Sequence, residues 1–299
     1  MPKLKADRIL QSDLLEYLNS YSDFSFELAV LKMLRENGLS CEHGGLYEDA
    51  VTKKSREFDI RAIITIQRYR VRLAIECKNI RENFPILISC VPRHEQESYH
   101  QVALVHEPKS ASSFMSLSIH SSRAETLSIR GKHSMYKRGE PVGKSTVQVG
   151  RASSDSSISA NDSELYEKWG QCLRSAADLV DQVYWDGDND NEQDAYQSMV
   201  IPFVVVPNDR LWMVLYDENG NRVGDPEPSN RCSCFIDKDY EMGTKIAGTH
   251  MWLSHVEVVT FNGMLSFVQR YLSSEETISQ IFPKEGIISA RPRGAETKT

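Results

Sequence analysis

The chain has 299 residues, of which 40% are hydrophobic and 26% charged, and its 42 acidic and 35 basic side chains give a formal net charge of −7. This composition is ordinary for a globular protein with a sizeable core, and it argues against wholesale disorder or a fibrous architecture. The acidic excess argues against avid nucleic-acid binding through a broad basic surface. It leaves room for a local basic groove, or for a partner that supplies part of the affinity.

The sequence has no apolar run close to the roughly 18 to 20 residues that span a bilayer. The first residues, Met1 to Asp7, lack the apolar core of a signal peptide. We therefore expect a cytoplasmic protein with no membrane partner. The six cysteines form no Cys-x-x-Cys pair, so reduced thiols are expected. Cys232 and Cys234 lie in a predicted loop, where a metal or redox pair stays open as an alternative.

Two N-terminal helices are predicted, a short one over 12 to 18 and a stronger one over 25 to 37 that ends at Gly38. The apolar positions of the second helix are Phe24, Leu28, Leu31 and Leu34. Glu27 falls on this apolar stripe, which is unexpected for an acid. Two interpretations stay open for Glu27: a first-turn carboxylate that the helix dipole favours, and a residue of an active site.

The next two runs, 57 to 67 and 71 to 78, alternate between apolar and polar residues and predict a β-hairpin. A turn between them sets the partner of Asp59 between residues 76 and 78. Directly opposed side chains on a hairpin have Cβ atoms about 5 Å apart. Asp59 and Glu76 can therefore share one face and grip one hard divalent cation through oxygen. Lys78 follows two residues later on the same face.

The region after the hairpin is predicted to hold an insertion. Residues 85 to 91 favour a strand and 95 to 105 a weak helix or an irregular segment, whereas 107 to 162 are rich in serine. The segment from Gly139 to Ser145 is similar to a phosphate-binding loop, but it has one residue too few between its glycines and no apolar strand before it. We therefore expect a loop that faces a substrate or docks on the core.

A long amphipathic helix is predicted over 163 to 185, with Ser163 as its N-cap and Gln171 beside its apolar face. The acidic segment 186 to 194 lacks the glutamate that completes a calcium-binding loop, which favours a solvated turn. The segments that follow are two strands, an irregular region, a strand, a helix, a closing element and a loose tail: 199–206, 211–216, 221–249, 255–261, 263–272, 278–288 and 289–299.

In chain order these elements give a helix with Glu27, a strand, a strand with Asp59, a strand with Glu76 and Lys78, an insertion, a long helix and a strand. This order resembles the restriction-endonuclease-like superfamily of PD-(D/E)xK phosphodiesterases. The acids and the lysine match the positions of its motif, on adjacent strands whose apolar phases put them on one face. One departure is Phe58, which stands where the motif name has proline.

The resemblance implies an α/β fold with an αβββαβ core, a mixed sheet, a large insertion and a C-terminal α+β extension. It assigns residues 1–206 to a nuclease-like core with the insertion at about 79–162. Residues 207–299 form the extension packed on that core. Gln171, on the long helix, resembles a glutamine that some branches of the superfamily carry, and is an accessory candidate.

The chemistry that the resemblance implies is metal-assisted phosphodiester hydrolysis. Asp59 and Glu76, with the backbone carbonyl of Cys77, would hold Mg²⁺ or Mn²⁺. Lys78 would orient the attacking water and offset charge in the transition state, and Glu27 would act through a water or a second metal. The structural alternative is that Asp59, Glu76 and Lys78 form a solvated ion-pair ladder on an exposed sheet face.

The resulting hypothesis is a DNA endonuclease that acts as an effector in a bacterial defence system. The acidic charge and the long insertion motivate a protein partner that recruits or restrains it, and a homo-oligomer stays open. RNA is a less favoured substrate, since nothing in the motif reads the 2′-hydroxyl. The alternative from another class is a catalytically degenerate nuclease fold that serves as a nucleic-acid or protein binding module.

Overall fold

A computed structural model describes residues 7–49, 52–105, 124–152, 155–186, 196–243 and 249–283. Its α-helices are α1 (Gln11–Ser20), α2 (Phe24–Glu36), α3 (Ser163–Val183), α4 (Phe261–Tyr271) and α5 (Glu275–Ile278). Its strands are β1 (Ser40–His43), β2 (Leu46–Glu48), β3 (Ser55–Glu57), β4 (Ile60–Ile66), β5 (Tyr69–Cys77), β6 (Ile86–Pro92), β7 (Tyr99–Val105), β8 (Ala124–Arg130), β9 (Pro141–Arg151), β10 (Ile158–Asn161), β11 (Tyr196–Val206), β12 (Leu211–Tyr216), β13 (Arg222–Pro228), β14 (Arg231–Met242) and β15 (Thr249–Thr260).

One mixed sheet of thirteen strands organises the fold, which confirms the α/β class. Its main path runs β1-β4-β5-β11-β15-β14-β9-β6-β12-β13, while β7, β8 and β10 pair beside this path and β2 with β3 forms a separate pair. β11 is parallel to both β5 and β15. Ten of the eleven residues of β11 are buried, as expected for a parallel strand that is covered on both faces.

The strand β5 shows how the two faces of the sheet are covered. Val71, Leu73 and Ile75 belong to a core cluster with residues of α2 and α4. Ala74, which points the other way, packs in a second cluster with Ala176 and other residues of α3. Because successive side chains of a strand alternate between faces, Arg72, Ala74 and Glu76 lie on the α3 side. This second face is buried as well.

The hairpin is confirmed, and its register is the predicted one. β4 and β5 are antiparallel with Ile66 opposite Tyr69 and Ile60 opposite Ile75. Gln67 occupies the left-handed region at the turn, with a φ of 54°. One step beyond the last pair, the register brings Asp59 level with Glu76.

Two predictions on irregular segments are wrong. Residues 95 to 105 form a short 3-10 turn followed by β7, and residues 221 to 249 contain β13 and β14. The insertion at about 79–162 stays a prediction, and the described part of 107 to 162 contains β8, β9 and β10. The boundary at 206 stays a prediction, but the strands before and after it are hydrogen-bonded within one sheet.

The segment from Gly139 to Ser145 is not a loop, because β9 begins at Pro141 and pairs with β6. Gly143 has a packing role here: a Cβ atom at this position would lie 2.4 Å from Sγ of Cys234. Cys234 and Cys232 are buried in β14 and not in a loop. None of the six cysteines forms a disulfide.

Smaller corrections concern the helices. Helix α3 begins at Ser163 itself, so its N-cap is Asp162. In α2, Phe24 and Leu28 are exposed, and the buried face is formed by Val30, Leu31, Met33 and Leu34. Asp186, predicted in a solvated turn, is buried. The rest of that acidic segment, the end of the closing element and the loose tail lie outside the described residues. Among the helices that the structure describes, none is long and apolar enough to cross a membrane.

Candidate functional site

The predicted pair of acids meets at the open end of the β4–β5 hairpin. Oδ2 of Asp59 accepts a hydrogen bond of 2.8 Å from the backbone N–H of Cys77. This bond fixes the Asp59 side chain against the end of β5. Glu76 is only 1% exposed and faces α3. The two carboxylates are therefore held by backbone register, and the alternative of an exposed, solvated ladder is wrong.

A residue that sequence reasoning missed, Lys168 of α3, contacts both acids. Its Nζ lies 2.9 Å from Oδ2 of Asp59 and 3.5 Å from Oε2 of Glu76. A signal for it was present in the sequence: Lys168 lies three residues after Leu165 and four before Cys172, both on the buried face of α3. A cation on an apolar helical stripe indicates a buried anionic partner.

The predicted lysine, Lys78, is directed elsewhere. Its Nζ lies 3.6 Å from Oδ2 of Asp23, the N-cap residue of α2. The other Asp23 oxygen accepts a 2.7 Å hydrogen bond from the backbone N–H of Asn79. The segment that follows Glu76 is thus tied to the start of α2. The site contains two ammonium groups, one on the acids and one on Asp23.

Glu27 lies beside this site, as one of its two interpretations requires. Its Oε2 is 3.1 Å from Nε2 of His43, and both side chains are largely buried. His43 is paired with Ile60 in the sheet, one position from Asp59. Burial and the neighbouring Asp59 carboxylate raise the pKa of Glu27, while His43 and Lys168 oppose that rise. The pKa of Glu27 therefore depends on the charges of Asp59 and Lys168.

The electrostatics of the pair follow from burial and like charge. Burial, and then the Asp59 carboxylate, raise the pKa of Glu76 to about 9, although Lys168 acts in the opposite direction. Burial alone would lower the pKa of Lys168, but Asp59 and Glu76 outweigh it and that pKa is raised. Oε1 of Glu76 is buried without a hydrogen-bond partner among the described residues. One ammonium does not satisfy the two carboxylates.

The donor set fits the predicted divalent cation. Two carboxylates already converge on one cationic group, and a buried carboxylate oxygen has no partner. Hard cations such as Mg²⁺ prefer oxygen ligands and commonly bind through one or two carboxylates. Within the described ranges no group of three or more His, Cys, Asp or Glu side chains is suited to hold a metal. Further ligands would therefore be backbone groups such as the Cys77 carbonyl, waters or substrate oxygens.

Two predicted site residues have no contact that supports their roles. Gln171 is half-buried on α3, one turn after Lys168, and it is not among the hydrogen-bond partners of Asp59 and Glu76 in the described part of the chain. The side chain of Cys77 is fully buried. Its N–H bonds to Asp59, whereas the use of its carbonyl stays a prediction.

Comparisons with protein-family models, with curated proteins and with solved structures give no significant match. The resemblance to PD-(D/E)xK phosphodiesterases therefore remains a prediction from the sequence.

Proposed function

We propose that the protein is a metal-dependent nuclease that hydrolyses phosphodiester bonds in DNA. The observation that carries this proposal is the convergence of Asp59 and Glu76 on one buried cationic position at the end of a hairpin. Structural carboxylates are normally paired with enough donors to satisfy them. A pair that keeps a buried carboxyl oxygen without a partner among the described residues is suited to bind a cation.

The order of elements around the pair supports the proposal at the level of the fold. Taken along the chain, α2, β1, β4, β5, α3 and β11 follow the expected αβββαβ sequence. The four strands are neighbours in the sheet in the order β1-β4-β5-β11, with only the last pair parallel. A fold does not define a reaction, so the residues of the site carry the chemistry.

In the proposed reaction, Asp59 and Glu76, with the Cys77 carbonyl, would hold Mg²⁺ or Mn²⁺. When bound there, the cation supplies Lewis-acid stabilisation of the charge on the phosphate. The N–H of Cys77 keeps Asp59 in position, as outer hydrogen bonds do for metal-ligating carboxylates. Lys78 and Lys168 offset negative charge that develops on the phosphate, and Lys78 orients the attacking water.

Glu27 is the proposed acceptor of a proton in this reaction. A carboxyl whose pKa is raised by burial and by Asp59 is a better general base than an ordinary exposed one. Its hydrogen bond with His43 fixes the orientation of the carboxyl. Of the two interpretations of Glu27, the proposal therefore takes the residue of an active site.

A second candidate function is a catalytically inactive binding module for nucleic acid or protein. The observation that favours it is Lys168, whose ammonium already contacts both acids. In this case the three side chains would form a structural ion cluster. The proposed setting, an effector of a bacterial defence system with a restraining or recruiting partner, is compatible with either candidate, and RNA is the less favoured substrate.

The two candidates are separated by plasmid cleavage with the purified chain in Mg²⁺ or Mn²⁺. We expect nicking or linearisation that EDTA abolishes and that Asp59→Asn and Glu76→Gln both remove. Asp178→Asn is the matched control, because Asp178 is another acid of the α3 interface, paired with Arg61. Cleavage that persists in Asp59→Asn contradicts the nuclease. DNA retention without cleavage, unchanged in Asp59→Asn, favours the binding module.

A further inference from the structure

We propose that Lys168 is an internal cation that competes with a divalent metal for Asp59 and Glu76, so that metal binds only when this ammonium leaves the two carboxylates. The inference rests on the metal site of the proposed function and adds a control on its occupancy. It concerns the chain's own residues and is testable without any substrate.

The contacts of Lys168 define the competition. Its Nζ lies 2.9 Å from Oδ2 of Asp59 and 3.5 Å from Oε2 of Glu76, so it occupies the position where the two acids converge. A divalent cation ligated by the same two oxygens would have to lie in the same place. Two cations at such a separation repel each other strongly in a site shielded from solvent. The ammonium and the metal therefore exclude each other.

The charges of the site favour exchange of the Lys168 ammonium for a divalent metal. With Lys168 in place, both acids share one ammonium, and Oε1 of Glu76 lacks a partner in the described part of the chain. A divalent cation in place of the ammonium would neutralise both acids. The pair thus gains more from the metal than from Lys168.

The identity of the cation also favours exchange. Two other buried acids are held by arginine: Asp186 by Arg72, and Glu257 by two nitrogens of Arg231. An arginine fork forms fixed, paired hydrogen bonds, whereas lysine carries a compact charge on a flexible four-carbon stem. The Lys168 side chain retains 16% exposure, which leaves it a route to solvent. A released ammonium would stay close enough to pair with an incoming phosphate.

The test is titration of the full chain with Mn²⁺ alone, followed by calorimetry and by the loss of free-Mn²⁺ paramagnetic signal. We expect Lys168→Met to bind Mn²⁺ about tenfold more tightly or better, because its competitor has been removed. Lys78→Met removes an equal charge that lies 3.6 Å from Asp23, and should change affinity by roughly threefold or less. Lys32→Met, on an exposed position of α2, should leave the affinity unchanged.

Stability provides a second readout if Lys168→Met folds poorly. Removing the ammonium leaves two buried acids uncompensated, so the variant should melt at a lower temperature in EDTA and gain more from Mn²⁺ than the wild type does. The double variant Asp59→Asn with Lys168→Met removes one charge of each sign. It should recover the melting temperature in EDTA and lose the tightened binding.

The outcomes separate this inference from the proposed function. If the wild type binds Mn²⁺ and Lys168→Met binds it equally or more weakly, the competition is wrong and the metal site stands. If neither protein binds Mn²⁺, nor gains stability from it, the competition and the metal-dependent nuclease are both overturned. Tight binding that appears only in Lys168→Met supports the inference.

Discussion

Helix α3 and the residues just after it contact two buried clusters of charge, and the clusters differ in how they are satisfied. Near the end of the helix, both oxygens of Asp186 are bound by the Arg72 guanidinium, with further bonds from Arg70 and Ser198. Near its start, Lys168 contacts both Asp59 and Glu76, and the N–H of Cys77 adds one bond to Asp59. The Asp186 cluster has donors in excess, and the Asp59–Glu76 pair has acceptors in excess.

This difference separates structure from chemistry. Burial raises the pKa of Asp186, but Arg72 and then Ser198 and Arg70 outweigh burial and lower it. Burial and Asp59 raise the pKa of Glu76. An acid that its surroundings hold as the anion stabilises the fold, whereas an acid destabilised as the anion is a candidate for function. Substitutions at the two clusters and at a nearby ion pair are expected to differ in size of effect, in the order given below.

The largest effect is expected on activity, from substitution in the Asp59–Glu76 pair. Asp59→Asn should lower the rate of plasmid cleavage by about a thousandfold or more, because the lost ligand charge supported several kcal/mol of transition-state stabilisation. The same change removes one of two close negative charges, so the melting temperature in EDTA should stay the same or rise. A large loss of stability would instead place Asp59 with the structural clusters.

The next largest effect is expected on stability, from substitution in the Asp186 cluster. Arg72→Met should lower the free energy of unfolding by about 3 to 5 kcal/mol, because Asp186 loses its main partner while buried. Urea denaturation measures it. The double variant Arg72→Met with Asp186→Leu should recover most of the loss, since apolar replacement of both partners is often near neutral. A single variant within about 1 kcal/mol of the wild type would contradict the comparison.

The pH dependence of this cluster has a definite sign. Since the pKa of Asp186 is lowered in the folded state, its contribution is fully present above the unfolded value of about 3.9 and is lost as pH falls through the lower folded value. The difference in unfolding free energy between wild type and Asp186→Asn should therefore be constant from about pH 7 to 5 and shrink below about pH 4. A difference that grows on acidification would show the opposite shift.

The smallest effect is expected at a third ion pair under the same helix. Arg61 donates to Oδ2 of Asp178 at 2.6 Å and also to Ser175, but Asp178 is 28% exposed. Because Asp178 keeps access to water, Asp178→Asn should cost about 1 kcal/mol or less in urea denaturation. If Asp178→Asn lowers the free energy of unfolding as much as Arg72→Met does, solvent exposure does not determine how much these ion pairs stabilise the fold.

The hairpin and its acids could be predicted because the information is local. Apolar alternation in β4 and β5 sets the faces, the short turn sets the register, and together they bring Asp59 level with Glu76. Lys168 could not be paired with them in the same way, because it lies 109 residues from Asp59 along the chain. Only the packing of α3 on β5 brings the residues together.

The strands β13 and β14 were not predicted because their sequences lack a clear alternating pattern. Every residue of β13 is exposed, and the strand contains proline and glycine, so no apolar face marks it. In β14 the pairing with β15 shifts register between Phe235 and Lys238, where Asp237 has a left-handed backbone with a φ of 48°. A bulge of this kind reverses which side chains face the core. The sequence pattern on one side of it then contradicts the pattern on the other.

Just after its last residue, helix α3 is tied to Arg70 and Arg72 through Asp186. Lys168 and Val183, the last residue of the helix, are 15 positions apart, or about 22 Å at 1.5 Å per residue. Over that length, a tilt of about two degrees at the Asp186 end moves Lys168 by about 0.8 Å. A shift of this size decides whether an ammonium contacts two carboxylates or one. Substitutions at Arg70 or Arg72, remote from the acids, would therefore alter whether Lys168 or a metal ion binds to Asp59 and Glu76.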